Sequence, residues 1–214
     1  MPAEQVCHPR FARIYQRFAP QMDKAGAGEH RDEMLADLTG RVIEVGAGTG
    51  LNFGRYPSTV TEVLAVEPEP SLRRSAEKAA KDAPVPVTVV DGVASALPAE
   101  DATFDAAVAS LVLCSIRDLP GALAEICRVM KPGGELCFYE HVRSERAVPG
   151  ALQRALDVAW PHMAGGCHTS RDTASEITRA GYEIEHMRRF SFRPSIFMAP
   201  VAPHIIGVAR RPAK

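Results

Sequence analysis

The chain reads as an α/β protein built around a doubly wound, largely parallel sheet, and three observations carry that reading. From residue 41 onward, short β-branched and aliphatic runs alternate with helical runs, the pattern left by right-handed crossovers and a sheet covered on both faces. The first run breaks into three glycines at alternate positions, Val42-Ile43-Glu44-Val45-Gly46-Ala47-Gly48-Thr49-Gly50, so a buried strand gives way to a turn where backbone must approach a ligand closely. The second run ends in Glu67, about 20 residues past the first glycine, where a carboxylate accepts hydrogen bonds from ribose hydroxyls in sheets of this type.

Residues 8–38 read as a helical arm, with Phe11, Ile14, Tyr15 and Phe18 at i, i+3, i+4, i+7 spacing and interruptions at Pro20 and Ala25-Gly26-Ala27-Gly28. This arm, within 1–40, either lies over the ligand mouth with Tyr15 facing in or packs Phe11 and Tyr15 on the core. Strands are expected at 41–45, 61–66, 85–90, 104–109 and 134–142, and the clearest helices between them at 71–81 and 119–130. Lys131-Pro132-Gly133-Gly134 stops the second helix and returns the chain to the sheet. Pro149, Trp160, Pro161 and Gly165-Gly166 mark 144–170 as a cap insertion. A last helix over 171–180 ends at Gly181, and strand-like runs at 182–190 and 204–209 pair at the sheet edge. The whole, 1–214, fits one domain.

Composition narrows the partners. A net charge of −1 with 24% charged residues leaves no basic field for nucleic acid and no acidic excess for disorder, so a small molecule is the default ligand. The five cysteines, Cys7, Cys114, Cys127, Cys137 and Cys167, are odd in number and show no C-x-x-C spacing, which argues against a disulfide framework and against a zinc site, so no metal is expected. Glu4, His8, Arg10 and Arg13 stand where a signal peptide would be apolar, and no spanning run occurs. A cytoplasmic protein without a transmembrane segment is the simplest reading; the oligomeric state stays open.

In a doubly wound sheet the ligand sits beyond the carboxyl ends of the strands. A dinucleotide fingerprint needs G-x-G-x-x-G, whereas here position 51 is Leu and Gly50 comes one residue early, which disfavours a nicotinamide cofactor. Glu44 points the same way: it repels a diphosphate and suits a ligand carrying an ammonium or sulfonium. Asp91-Gly92-Val93-Ala94 forms a small-residue turn after the third strand, Ser110-Leu111-Val112-Leu113-Cys114-Ser115 follows the fourth, and Glu140, His141 and Arg143 follow the fifth.

These residues resemble the class I S-adenosylmethionine-dependent methyltransferases, within them the quinone-biosynthesis branch. The resemblance runs from about Arg41 to Val142 and is most specific at Glu44–Gly50, Glu67-Pro68, Phe104-Asp105 and Arg128-Val129-Met130-Lys131-Pro132-Gly133-Gly134. A narrower likeness, to the animal microsomal thiol methyltransferases, continues to about Gly207 through Leu111-Val112-Leu113-Cys114-Ser115, Glu140-His141-Val142, Asp157, Trp160, Gly166-Cys167, Thr169, Arg171 and Pro203-His204-Ile205. It implies a Rossmann-like seven-stranded sheet of order 3-2-1-4-5-7-6 with strand 7 antiparallel, and S-adenosylmethionine clasped by the glycine turn with Glu67 on its ribose. The animal proteins carry an N-terminal hydrophobic anchor that this chain lacks, and many relatives carry Asp where Val93 stands, which leaves the adenine amino group to Asp91, to backbone or to water.

The candidate cofactor contacts are therefore Glu44, Gly46, Ala47, Gly48, Gly50, Asn52, Glu67, Pro68, Gly92, Val93, Ala94, Ser110 and Leu111. The candidate catalytic residues are His141, either a base or an orienting residue bonded to a neighbour such as Glu140, and Tyr15. Leu111, Leu113 and Trp160 are expected to wall an apolar pocket, and Cys114 reads as a small apolar filler. No Asn/Asp-Pro-Pro-Tyr/Phe follows the fourth strand and no Asp/Asn cluster suggests magnesium. The leading activity is methyl transfer to a small, fairly apolar acceptor, with a thiol first by resemblance. An amine, a phospholipid headgroup amine, a phenol or a quinone precursor would use the same scaffold. A non-enzymatic sensor of the cofactor is the reading from another class.

Overall fold

The computed structural model describes residues 8–213; Glu4 and Cys7 lie outside them. Seven strands, β1 (Gly40–Val45), β2 (Val60–Val66), β3 (Val87–Val90), β4 (Phe104–Ser110), β5 (Met130–His141), β6 (Glu183–Ser191) and β7 (Pro203–Arg210), form one sheet of order β3-β2-β1-β4-β5-β7-β6. The first five run parallel, and β7 lies antiparallel between β5 and β6, the implied order and orientation.

The helices are α1 (Pro9–Met22), α2 (Gly28–Leu35), α3 (Pro70–Ala79), α4 (Leu119–Val129), α5 (Ala147–Leu156), α6 (Trp160–Met163) and α7 (Thr173–Arg179). α1 continues through Pro20 to Met22, because a proline this near a helix end sacrifices little of the hydrogen-bond ladder. The break comes at Gly26, with φ of 121°. α4 opens where Asp118 accepts the N–H of Gly121 at 3.0 Å. β5 starts at Met130, four residues before the expected re-entry, since Met130 already pairs with Phe104 and the register slips before Glu135 meets Ala106. Its Lys-Pro-Gly-Gly stretch is absorbed as an irregularity within the strand. α7 spans less than the expected 171–180 because Asp172 caps it by accepting the N–H of Ser175 at 3.3 Å.

Both sheet faces are buried. Along β5, Leu136 and Phe138 enter one core with Ile126 and Leu123 of α4, while Cys137 and Tyr139 enter the other with Leu35 and Val42. α4 buries Leu119, Ala122, Leu123, Ile126 and Val129, one stripe of a 3.6-residue period. The sheet is thus clamped, and the carboxyl ends of β1, β2, β4 and β5 form a common rim. Among the described residues no helix is long and apolar enough to cross a membrane.

Leu136, fully buried, tests the clamp. Leu136→Ala should lower unfolding free energy by about 2–5 kcal/mol in urea titrations with an unchanged slope; a loss below about 1 kcal/mol would mean the core there is loose.

Candidate functional site

Beyond Val45 the chain turns through Gly46, Gly48 and Gly50 with φ of 69°, 60° and 81°, a region side-chain-bearing residues rarely enter. At Gly46 space is also decisive, because an added Cβ would stand 2.3 Å from Cγ2 of Val112. The N–H groups of Gly46 and Ala47 donate to the Val66 carbonyl at 2.9 and 3.2 Å, tying the turn to the end of β2. Tyr15 lies over Gly48, its ring and hydroxyl 3.3 Å from where a Cβ would be. The arm therefore faces Tyr15 inward, and Phe11, one turn earlier, packs on Gly165.

Two buried acids flank this turn. Glu67 accepts the N–H of Gly48 at 2.7 Å and that of Glu69 at 2.9 Å. Glu44 accepts the Asn52 amide at 2.8 Å and the Tyr56 hydroxyl at 2.6 Å. Burial pushes both carboxyls up to about 7, against the pull of those hydrogen bonds. Arg31, absent from the sequence-derived site, is buried beside them. It donates to Oδ1 of Asn52 at 2.9 Å and to Oγ of Ser110 at 2.7 Å, with its Nε 3.2 Å from Asp23. In Glu29-His30-Arg31-Asp32-Glu33 it reads as one charge of a solvated face, and nothing local marks it for burial.

The remaining predicted contacts gather on the same rim in different ways. Asn52 spends its amide on Glu44 and Arg31, so it supports the acid. The carbonyls of Glu67 and Pro68 receive Arg73, which also pairs with Asp91 at 2.8 Å. Gly92 is pressed between Val66 and Pro98, 2.9 and 3.0 Å from an added Cβ, and Val93 and Ala94 follow in a tight turn bridged from Val93 to Ala96. Leu111 takes φ of 55° and donates its N–H to Tyr139 at 2.7 Å. Leu113, expected as a pocket wall, is fully buried in the core, because the loop after β4 folds inward at that point.

The reason is Glu140. Its buried carboxylate accepts the N–H groups of Val112 and Leu113, both at 2.8 Å, and of Cys114 at 3.2 Å. Glu140 is thus spent on the loop and does not orient His141, since neighbours along a strand face opposite ways. His141 instead sets Nε2 2.9 Å from Sγ of Cys167, with Nδ1 buried and unpartnered. Burial pulls the imidazole down, but the sulfur of Cys167 outweighs it and carries the group above its ordinary value. Hydrogen bonding with Cys114 holds the Cys167 thiol well below the thiol range and pushes Cys114 up. The ligand atoms of Cys114, His141 and Cys167 all lie within 4.8 Å of one another.

The residues around this trio are its scaffold. Asp157 accepts the N–H and hydroxyl of both Thr169, at 2.6 and 2.8 Å, and Ser170, at 3.1 and 2.5 Å, which fixes the loop carrying Cys167. Arg171 donates to the carbonyls of Leu113 and Ile116 at 2.6 Å each, which fixes the loop carrying Cys114. His204 meets the His141 ring edge-on, centroids 6.3 Å apart, and is bonded to Ala202 at 2.8 Å, and burial lowers it to about 4; His168 is half exposed, 3.9 Å from Asp157.

Comparison with known proteins places these features. A family profile described as a methyltransferase domain matches residues 43–138. The chain is 34% identical to thiol S-methyltransferase TMT1B of Rattus norvegicus, over 96% of this chain and 88% of that one. It is 38% identical to demethylmenaquinone methyltransferase of Thermobifida fusca, over 83% and 80% of the two chains. A crystal structure from Thermotoga maritima, of an S-adenosylmethionine-dependent methyltransferase described as a possible histamine N-methyltransferase, superposes with a TM-score of 0.71 at 22% identity, covering 96% of this chain and 97% of that one.

The two acids make a stability prediction. A carboxyl raised in the folded state from its ordinary value of 4.5 to about 7 contributes stability that is complete below about pH 4.5 and lost as pH rises through about 7. Glu67→Gln should therefore be more stable than wild type at pH 8, by roughly 1–3 kcal/mol of unfolding free energy, and the gap should close toward pH 5. Calorimetry of the ligand-free proteins that shows the variant less stable at pH 8 would refute the buried placement.

Proposed function

The chain belongs to the S-adenosylmethionine-dependent methyltransferases, and on that premise we propose that it methylates the sulfur of a small, fairly apolar thiol. The cofactor, when bound, supplies a methyl group already activated on a sulfonium. The residues present fit it. At Gly48 the turn presents bare backbone under the Tyr15 ring, while Gly46 is already packed against Val112. Glu67 has lone pairs left after its two backbone N–H groups, enough for ribose hydroxyls. Glu44, Glu67 and the exclusion of water favour a cationic ligand over a diphosphate. Arg31, Asn52 and Tyr56 hold Glu44 in place, and Tyr15 covers the turn.

The observation that carries the thiol reading is the extent of the likeness to the thiol S-methyltransferase, 96% of the chain. It takes in the 144–170 segment and the trio Cys114, His141 and Cys167 that this segment completes. In this reading the His141–Cys167 pair lies beside the acceptor and helps its thiolate form, which an unperturbed thiol of value ~8.5 populates poorly at neutral pH. Nε2 faces Cys167, so the imidazole acts through that sulfur. Trp160 and Leu111 supply apolar wall, and dispersal of charge during transfer favours such a water-poor pocket.

Carbon methylation of a quinone precursor is the second reading, favoured by the 38% identity to the demethylmenaquinone enzyme. Labelled-methyl transfer against small thiols, amines and phenols, with a demethylated quinone alongside, separates the two. Label on thiols well above the other classes is the expected result, and label on the quinone alone reverses it. His141→Ala should lower thiol turnover roughly 100-fold while S-adenosylhomocysteine affinity stays at the wild-type value by calorimetry. Unchanged turnover would remove His141 from the chemistry.

A further inference from the structure

We propose that Cys114, His141 and Cys167 are the protein side of a soft-metal site of the kind that takes zinc, and that its open fourth position receives the sulfur of the acceptor. The second half of the proposal rests on the thiol reading above; the first does not.

The three ligand atoms lie within 4.8 Å of one another, one edge being 2.9 Å. Zinc bonds of about 2.3 Å to sulfur and about 2.0 Å to nitrogen, set tetrahedrally, need edges of roughly 3.5–3.8 Å. The trio therefore reaches that geometry by small side-chain adjustments. Two cysteines and one histidine leave the fourth position to a group from outside the trio, which is a catalytic donor set, whereas structural zinc sites close all four positions with protein ligands. Soft thiolates also select zinc over magnesium or calcium.

The placement is built by the fold. Cys114 follows β4, His141 ends β5, and Cys167 comes from the loop after α6. Each is immobilised by a separate device: Glu140 holds the Cys114 N–H, β5 to β7 pairing holds His141, and Asp157 anchors the Cys167 loop through Thr169 and Ser170. Val112, two residues before Cys114, is the side chain that closes on Gly46, so the trio stands next to the glycine turn. Phe11 and Tyr15, their ring centroids 5.7 Å apart, span the gap by covering Gly165 and Gly48.

The chemistry balances. Metal binding displaces the protons that hold the trio together, and they leave to solvent. The acceptor thiol loses its proton as its sulfur coordinates. A lone pair on that sulfur then forms the new sulfur–methyl bond while the donor's sulfur–methyl bond breaks, its electron pair staying on the donor sulfur. The product thioether is a neutral, weaker ligand and departs.

Cobalt(II) titration of the purified chain, followed by absorbance, tests this. One equivalent should bind with thiolate-to-cobalt charge-transfer absorption. Cys114→Ser and Cys167→Ser should each weaken binding by more than the ~10–100-fold that loss of an outer-shell partner costs, while still binding S-adenosylhomocysteine, which shows that they fold. Benzyl mercaptan added to the cobalt-loaded protein should change the absorption. Absence of the band in wild type, or equal uptake by the Cys114→Ser/Cys167→Ser double variant, overturns the site. A band that benzyl mercaptan leaves unmoved overturns the fourth-position assignment. Thiol methylation at full rate by chelator-stripped protein also overturns a catalytic metal while the thiol reading stands; cobalt binding with no thiol methylation keeps the metal site and overturns that reading.

Discussion

Two carboxylates buried at the ends of neighbouring strands, with a glycine turn between them, set the terms for everything around the rim. Isolated acids in such a place are costly, and the chain answers by giving each one backbone or side-chain donors. Glu67 takes the turn's own N–H, at Gly48, and Glu44 takes Asn52 and Tyr56. Burial still pushes both up to about 7, so each acid keeps its proton more readily than an exposed one. Arg31 reaches the same network from α2, which brings a helix of the N-terminal arm under the turn as well as over it.

A third buried acid organises the other half. Glu140 accepts three successive backbone N–H groups after β4, bending that loop so that Val112 closes on the glycine turn and Cys114 comes to His141. The loop is pinned from the far side by Arg171. The glycine turn and the sulfur trio are thus mechanically joined through three residues of one loop, Val112 to Cys114, and displacement of either would be felt by the other.

The sheet was legible because period-two apolar runs and glycine punctuation are local signals, and the acids at 44 and 67 followed from their places after strands. Bounds went astray where local breakers failed to stop the chain: Pro20 falls so near the end of α1 that it costs little, and strand pairing absorbs the Lys-Pro-Gly-Gly stretch into β5. The site was legible in its glycines and poorly legible in its partners. His141 was identifiable as the residue after a strand, yet its partner is Cys167 and not the adjacent Glu140. That pairing joins residues 26 apart across α5, α6 and the turns around them, so no spacing rule could reveal it. Cys114 looked like a filler for the same reason, and Arg31 looked solvated because only the packing of α2 buries it.

Tyr15 rests on Gly48 at van der Waals distance, and Phe11 on Gly165. Anything that occupies the surface of that glycine must first dislodge the ring, and the ring belongs to a helix that also seats against the loop bearing Cys167. On the proposed reading, loading of fresh donor and escape of the spent one are conformational events of the N-terminal arm, on a timescale of its own. A slow arm would limit the rate at which the enzyme cycles however fast the bond-making step became.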